Sequence, residues 1–304
     1  MQSTNSILMV RPAAFGFDPE TAANNAFQNK PGDVAGEDLQ SRAVLEFDNV
    51  AATMRANGVN LYVVKDKPEP MRPDAIFPNN WISTHEDGTV ILYPMMAPNR
   101  RQERRQDVLD DLEKYFEIRR VVDLSRHENT GRYLEGTGSM IMDRTNGVIY
   151  ACRSPRTHEA VLKEVAKTLG YRTVLFDAVD GNGKPIYHTN VMLSIGTNYV
   201  VLADCTIPDV AERERVMAYL GGGGHRIVKL RPEQLNEFAG NVLEVLGRER
   251  FVAMSSRAFK SLSDSQLDLL EVWAKTVHFP IPTIENIGGG SIRCMLAEIF
   301  LPRK

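Results

Sequence analysis

The stretch "SMIMDRTNGVIYAC", Ser139 to Cys152, consists of two short β-rich runs joined by Asn146-Gly147, a dipeptide that favours a tight hairpin turn. A helical run from Pro155 to Leu169 and a third extended piece, "RTVLFD", follow it. The order is strand, strand, helix, strand. It recurs downstream as "NVMLSIGTNYVVLAD", a helix starting near Ile207-Pro208-Asp209, and "HRIVKL". It recurs again as "NVLEVLGRERFVAMS", a helix that includes "SDSQLDLLEVWAK", and "TVHFPIP". Upstream, "NWISTHEDGTVILYP" precedes a charged helix from about Arg100 and "IRRVVDL". The chain ends complete the series. "CMLAEIFLP" is a strand without its unit, while "ILMVRP", a helix around Glu37 to Ala56, and "VNLYVVK" lack a first strand. Pairing the last strand with the first closes a ring and removes exposed sheet edges. The repeat therefore predicts one α/β domain over residues 1–304: a five-bladed α/β propeller of ββαβ units around a pseudo-fivefold axis.

Aligning the units on the residue that opens each first strand gives Asn80, Ser139, Asn190, Asn241 and Cys294, at spacings of 59, 51, 51 and 53 residues. All five are small or polar and are followed by apolar residues. In a ring they converge near the axis. Five polar side chains at one point are hard to justify as core, because buried polar groups need partners; they suit a ligand pocket.

Composition narrows the function classes. Of the 304 residues 43% are apolar, enough for a sizeable core, and the net charge of −3 provides no general field for nucleic acid or an acidic membrane. The N-terminus "MQSTNSILMVRP" has neither the basic start nor the apolar run of a signal peptide, and no stretch approaches a membrane span. The three cysteines, Cys152, Cys205 and Cys294, are far apart and odd in number. They form neither a disulfide framework nor a metal knuckle, and a reducing cytoplasm is the natural setting. The histidines share no metal-ligand spacing, so neither metal nor cofactor is expected. The run "NRRQERRQ" reads as a solvated helix face. "GGGG" at Gly221 to Gly224 follows a helix and reads as a turn, since a phosphate loop would open one.

Cys294 lies behind three glycines, in "GGGSIRC". A thiol becomes a good nucleophile only as thiolate, with a base or cation nearby. His188, two residues before Asn190, is the best candidate base. Glu135, four residues before Ser139, is placed to fix its tautomer. Cys152 sits in an apolar strand and Cys205 follows one, and both read as inert.

The series "PDAIFPNN", "LEGTGS", "SPRT", "YHTN" and "GGGSIRC" resembles the guanidine-modifying superfamily, or penteins, from about residue 70 to the end. "FPNNW", "HTNVM" and "RCMLAEIFLP" look closest to its citrulline-utilising hydrolases, often labelled amidinotransferase family. The resemblance implies a five-bladed α/β propeller with an axial site, Cys294 as nucleophile, His188 as acid/base and Glu135 as its partner. It further implies that Asp74 contacts a substrate nitrogen and that Arg156 grips a substrate carboxylate, as guanidinium can do bidentately. Arginine deiminases carry aspartate where this chain has Asn80 and Asn190, and Ser139 continues the trend. A buried guanidinium needs such counter-charges. Neutral asparagine, a donor and an acceptor at once, suits a neutral ureido group.

The expected function is thus hydrolysis of a ureido C–N bond, citrulline to ornithine, carbon dioxide and ammonia, with Asp74, Asn80, Asn190 and Ser139 at the substrate. The alternatives are a deiminase or amidinotransferase acting on a guanidine, and a non-catalytic propeller that binds a partner. The expected partner is a small ureido or guanidino amino acid, without nucleic acid or membrane, and a homo-oligomer stays open. The segment from Pro12 to Gly36 reads equally as a lid over the site or as a surface loop.

Overall fold

Five three-stranded sheets form a ring in the computed structural model, which describes residues 1–32 and 36–304. Each sheet repeats one topology: a short inner strand pairs antiparallel with a middle strand, which pairs parallel with an outer one after a helical crossover. In the second blade these are Ile141–Asp143, Val148–Cys152 and Arg172–Phe176. Inner and middle strands there are wholly buried, and the outer strand starts at an exposed Arg172. Burial thus decreases from axis to rim. The Asn146-Gly147 turn is held by Asp143, whose carboxylate accepts from the backbone and side-chain N–H groups of Asn146.

The fifth blade joins the chain ends, as the repeat requires. Ser6–Arg11 lies parallel to Asn60–Lys65, and Ala297–Glu298 pairs antiparallel with it through Ile7–Glu298 and Leu8–Ala297. The crossover helix Gly36–Ala56 buries Leu39, Ala43, Phe47, Val50, Ala51 and Met54 along one face, the stripe that a 3.6-residue period gives. Two other crossover helices start at strong side-chain caps: Asp209 accepts from the Glu212 N–H, and Ser263 forms a capping box with Gln266.

One detail of the alignment changes. Four of the five aligned residues sit in short helical turns just ahead of the inner strands. These turns are Pro78–Asn80, Gly136–Ser139, Thr189–Val191 and Ile292–Met295. Asn241 precedes Leu243–Leu246 without such a turn. Among the described residues no helix is long and apolar enough to cross a membrane.

Candidate active site

The turns at the blade tips bring Asp74, Asn80, Arg100, Arg156, His188 and Cys294 around one small cavity of about 20 Å³, lined also by Asn25, Phe77, Tyr187 and Gly288–Gly290. Cys294 is 7% exposed. Its Sγ faces the side-chain amides of Asn190 at 3.5 Å and Asn241 at 3.3 Å. The glycines before it are needed for space: a Cβ on Gly290 would meet the Phe77 ring at 2.9 Å.

His188 Nε2 lies 2.8 Å from Glu135 Oε2. With Glu135 ionised, Nε2 holds the proton of the neutral ring and Nδ1 keeps a lone pair. Burial pushes the His188 imidazole down to about 4, against the opposing pull of Glu135, and Arg156 and Arg100 push in the same direction as burial. The ring is therefore neutral at physiological pH. Glu135 is completely buried. Burial raises its carboxyl, but Arg156, the His188 hydrogen bond and Arg100 more than offset this and hold it well below the usual carboxylate range. Its Oε1 accepts from the Met96 N–H at 3.0 Å and its Oε2 from Arg156 at 3.2 Å.

Asp74 is the opposite case. Burial pushes its carboxyl up to about 7, against the pull of Arg100, with Asp18 and Glu103 adding to the rise. Its Oδ2 accepts from Thr21 at 3.1 Å, while Oδ1 is buried without a partner. Asn80 is its complement. Its Oδ1 accepts from Arg100 at 2.9 Å, and its Nδ2 is buried without a partner. Arginine can only donate, so this contact fixes which way the amide points.

Two expectations fail here. The run "NRRQERRQ" does not present a uniformly solvated face: Arg100 and Glu103 are each 3% exposed and form a bidentate pair at 2.8 and 2.9 Å. Arg100 also lies 3.8 Å from Asp74 and 4.0 Å from Glu135. A guanidinium can be buried there because carboxylates surround it. Ser139 is not at the cavity wall. Its hydroxyl donates to the Arg156 carbonyl at 2.7 Å and accepts from the Glu135 N–H at 2.9 Å. It therefore ties two site residues together, is fully buried and has no donor left for a substrate.

Arg156 lines the cavity, but its guanidinium is engaged by Glu135, by the Thr21 carbonyl at 3.1 Å and by the Asn24 side chain. Thr21 and Asn24 belong to the segment read as lid or loop. Its described part covers the site: Asn25 donates to the Gly289 carbonyl at 3.2 Å and Gln28 to that of Gly288 at 3.0 Å. Residues 33–35 of that segment lie outside the described residues. Arg100, Glu103 and Thr21 carry no signal in the sequence beyond their polarity. Asn241 does carry one, since it occupies the same blade step as Asn80 and Asn190. Among the described residues no group of three or more metal-ligating side chains could hold a metal ion.

A ring of five ββαβ sheets with a cysteine, a histidine–glutamate pair and buried guanidiniums on its axis defines a pentein of the guanidine-modifying class. The chain belongs to the family described as eukaryotic N,N dimethylarginine dimethylhydrolase, whose model matches residues 11–301. No curated protein sequence matches it. Solved structures share its fold at low identity. One is the substrate-bound N-terminal domain of ArgZ, a cyanobacterial arginine dihydrolase: 18% identity, 97% of this chain, 99% of that one, TM-score 0.72. AgrE in complex with L-arginine is 15% identical with a TM-score of 0.74, and the match covers 98% of this chain but only 40% of the longer AgrE chain. The Pseudomonas aeruginosa dimethylarginine enzyme, complexed with citrulline, is 12% identical over 96% of this chain and 98% of that one, with a TM-score of 0.67.

Proposed function

We propose that this chain hydrolyses a ureido C–N bond through Cys294, with citrulline as substrate and ornithine, carbon dioxide and ammonia as products. The observation that carries the choice is the pair of unpartnered atoms at the site, Asn80 Nδ2 and Asp74 Oδ1. A ureido group offers both complements, a carbonyl oxygen for the amide donor and an N–H for the carboxylate. A guanidinium has donors only and would leave Asn80 Nδ2 buried and unmet, at a cost of about 1–3 kcal/mol.

In this reading His188 Nδ1 takes the proton of the Cys294 thiol, the thiolate attacks the ureido carbon and the C=O electrons move onto oxygen. Collapse expels one nitrogen, which takes that proton from His188, and leaves a thiocarbamate on sulfur. His188 then takes a proton from water, which attacks the same carbon and releases the thiolate and a carbamic acid. That acid breaks down to carbon dioxide and an amine, so one water is consumed overall. Glu135 orients His188 throughout. Arg100 and Arg156 are the cations that line the cavity, and either would have to exchange a present partner to take a substrate carboxylate. The cavity of about 20 Å³ has room for little more than one water, so binding requires the covering segment to shift.

A second reading has one specific observation behind it. The buried network holds three carboxylates, Asp74, Glu103 and Glu135, for two guanidiniums, Arg100 and Arg156. An excess negative charge favours a cationic substrate such as arginine, which ArgZ hydrolyses, or the methylated arginine in the family's name. Incubation with citrulline, arginine and dimethylarginine, with assays for ornithine, ammonia and citrulline, separates the readings. Ornithine and ammonia from citrulline are expected. Cys294→Ser should abolish both and leave the melting temperature unchanged. Turnover of a guanidine with none of citrulline would overturn the ureido assignment.

A further inference from the structure

We propose that Asn241 is a catalytic residue: with Asn190 it forms a pair of side-chain amide donors that hold the Cys294 sulfur as thiolate. The proposal rests on the reading of Cys294 as nucleophile. A thiolate that is 7% exposed needs either a nearby cation or hydrogen-bond donors. The cations that line the cavity are spoken for. Arg100 is paired with Glu103 and Asn80, and Arg156 with Glu135, Asn24 and the Thr21 carbonyl. His188 stays neutral and is tied to Glu135.

The donors are Asn241 Nδ2 at 3.3 Å from Sγ and Asn190 Nδ2 at 3.5 Å, and each residue is 1% exposed. The Asn241 amide has one orientation open to it. Its Oδ1 accepts from the Arg293 N–H at 3.1 Å and its Nδ2 donates to the Asn190 carbonyl at 3.2 Å. Turning the amide over would set two acceptors, and then two donors, against each other. With Oδ1 fixed on the residue before the cysteine, Nδ2 is directed at the sulfur. The thiol makes weaker use of the same amide, donating its S–H to Oδ1 across an Sγ···Oδ1 distance of 3.7 Å. Loss of the proton exchanges this contact for two N–H···S⁻ bonds, and hydrogen bonds to a charged partner are about twice as strong as neutral ones. Three consecutive blades thereby build the nucleophile: the third supplies Asn190, the fourth Asn241 and the fifth Cys294, all at the same step of the repeat. Asn190 Nδ2 faces the sulfur, a role beyond the one expected for it from the sequence.

The test is the pH dependence of iodoacetamide alkylation, followed by peptide mass spectrometry so that Cys294 is read separately from Cys152 and Cys205. Asn241→Asp keeps the acceptor for the Arg293 N–H but replaces the donor at sulfur with a charge. The pH midpoint for alkylation of Cys294 should rise by more than about one unit, which lowers the rate at neutral pH about tenfold. Asn190→Ala leaves the backbone carbonyl that holds Asn241 in place and should give a smaller rise. It also serves if Asn241→Asp fails to fold. A purely structural role would lower the melting temperature and leave the midpoint of the folded protein where it was. Midpoints within about 0.3 unit of wild type in every variant that folds would overturn the proposal. No substrate is involved, so a chain inactive on citrulline and arginine would sink the function proposed above and leave this result to stand or fall by itself.

Discussion

At the scale of single residues, the site is a set of charges held out of water, and its behaviour with pH follows from which of them are matched. Asp74 binds its proton more tightly in the folded chain than in the unfolded one, with its carboxyl raised from the ordinary 3.8 to about 7. Its contribution to stability is therefore fully present below about pH 4. It is lost as pH rises to about 7, and the deficit is complete above that. Asp74→Asn removes the titration. The variant should gain about 2–4 kcal/mol over wild type at pH 8, at about 1.4 kcal/mol per unit, and lose that advantage at pH 4.5. Denaturant melts at the two pH values check it, and a constant difference would mean that Asp74 is ionised throughout. Asn80→Asp tests charge selection. Its carboxylate would keep the contact with Arg100, abolish the only unpartnered amide donor at the described cavity and add a fourth carboxylate to the network. The ratio of kcat/KM for citrulline to that for arginine should fall by about two orders of magnitude or more, as expected when a site loses a hydrogen bond that distinguishes its ligands. An unchanged ratio would show that Asn80 does not read substrate charge. Asn190→Asp is not an equivalent test, because that side chain lies on the nucleophile.

At the scale of elements, the strand-strand-helix-strand repeat is legible because several units carry local turn or cap chemistry, such as Asn146-Gly147, Asp209 and Ser263 with Gln266. Those are local signals, and they survive in a single sequence. The convergence of Asn80, Asn190 and Cys294 is legible for the same reason, since equal steps in a ring meet at its axis. Arg100 is not legible. An arginine in a charged run looks solvated until the fold brings Glu103, Asp74 and Glu135 around it, and two of those come from elsewhere in the chain. Ser139 misleads in the opposite way, because a polar residue at an axial step can serve backbone groups as well as a ligand. The covering segment is settled only by its long-range partners, above all the Gly288–Gly290 turn. Gly289 has φ +64°, and a Cβ there would lie 2.6 Å from Asn25 Nδ2 and 2.6 Å from Gln28 Cγ. Gly289→Ala should therefore strain the turn and displace the segment together. Amide hydrogen exchange over residues 21–29 should quicken and kcat/KM should fall about a hundredfold or more. Normal activity with unchanged exchange would mean that the segment plays no part in assembling the site.

At the scale of the whole molecule, ring closure and catalysis depend on the same few residues. Cys294 comes three positions before the strand Ala297–Glu298 that closes the fifth sheet. The residues beyond that strand latch the fifth blade to the first. The Phe300 N–H donates to Thr84 Oγ1 at 2.8 Å, the Pro302 carbonyl accepts from the Glu117 N–H at 2.8 Å, and Arg303 bridges Phe116. Leu301 packs in one cluster with Leu8, Trp81, Leu112 and Phe116. Deleting Phe300–Lys304 removes two buried apolar side chains, Phe300 and Leu301, and costs about 3–6 kcal/mol in lost burial alone. Loss of stability would be expected of any such cut, so the informative comparison is with a variant of similar cost elsewhere in the cluster. Leu112→Ala, in the helix Gln106–Glu113 on the first blade, should cost about 2–5 kcal/mol without touching the closing strand. If closure positions the nucleophile, the truncated chain should lose more than about tenfold in kcat well below its melting temperature, while Leu112→Ala keeps a rate near wild type. Equal kcat values in the two folded proteins would show that the turn carrying Cys294 holds its geometry without the latch, and that the ring contributes stability alone.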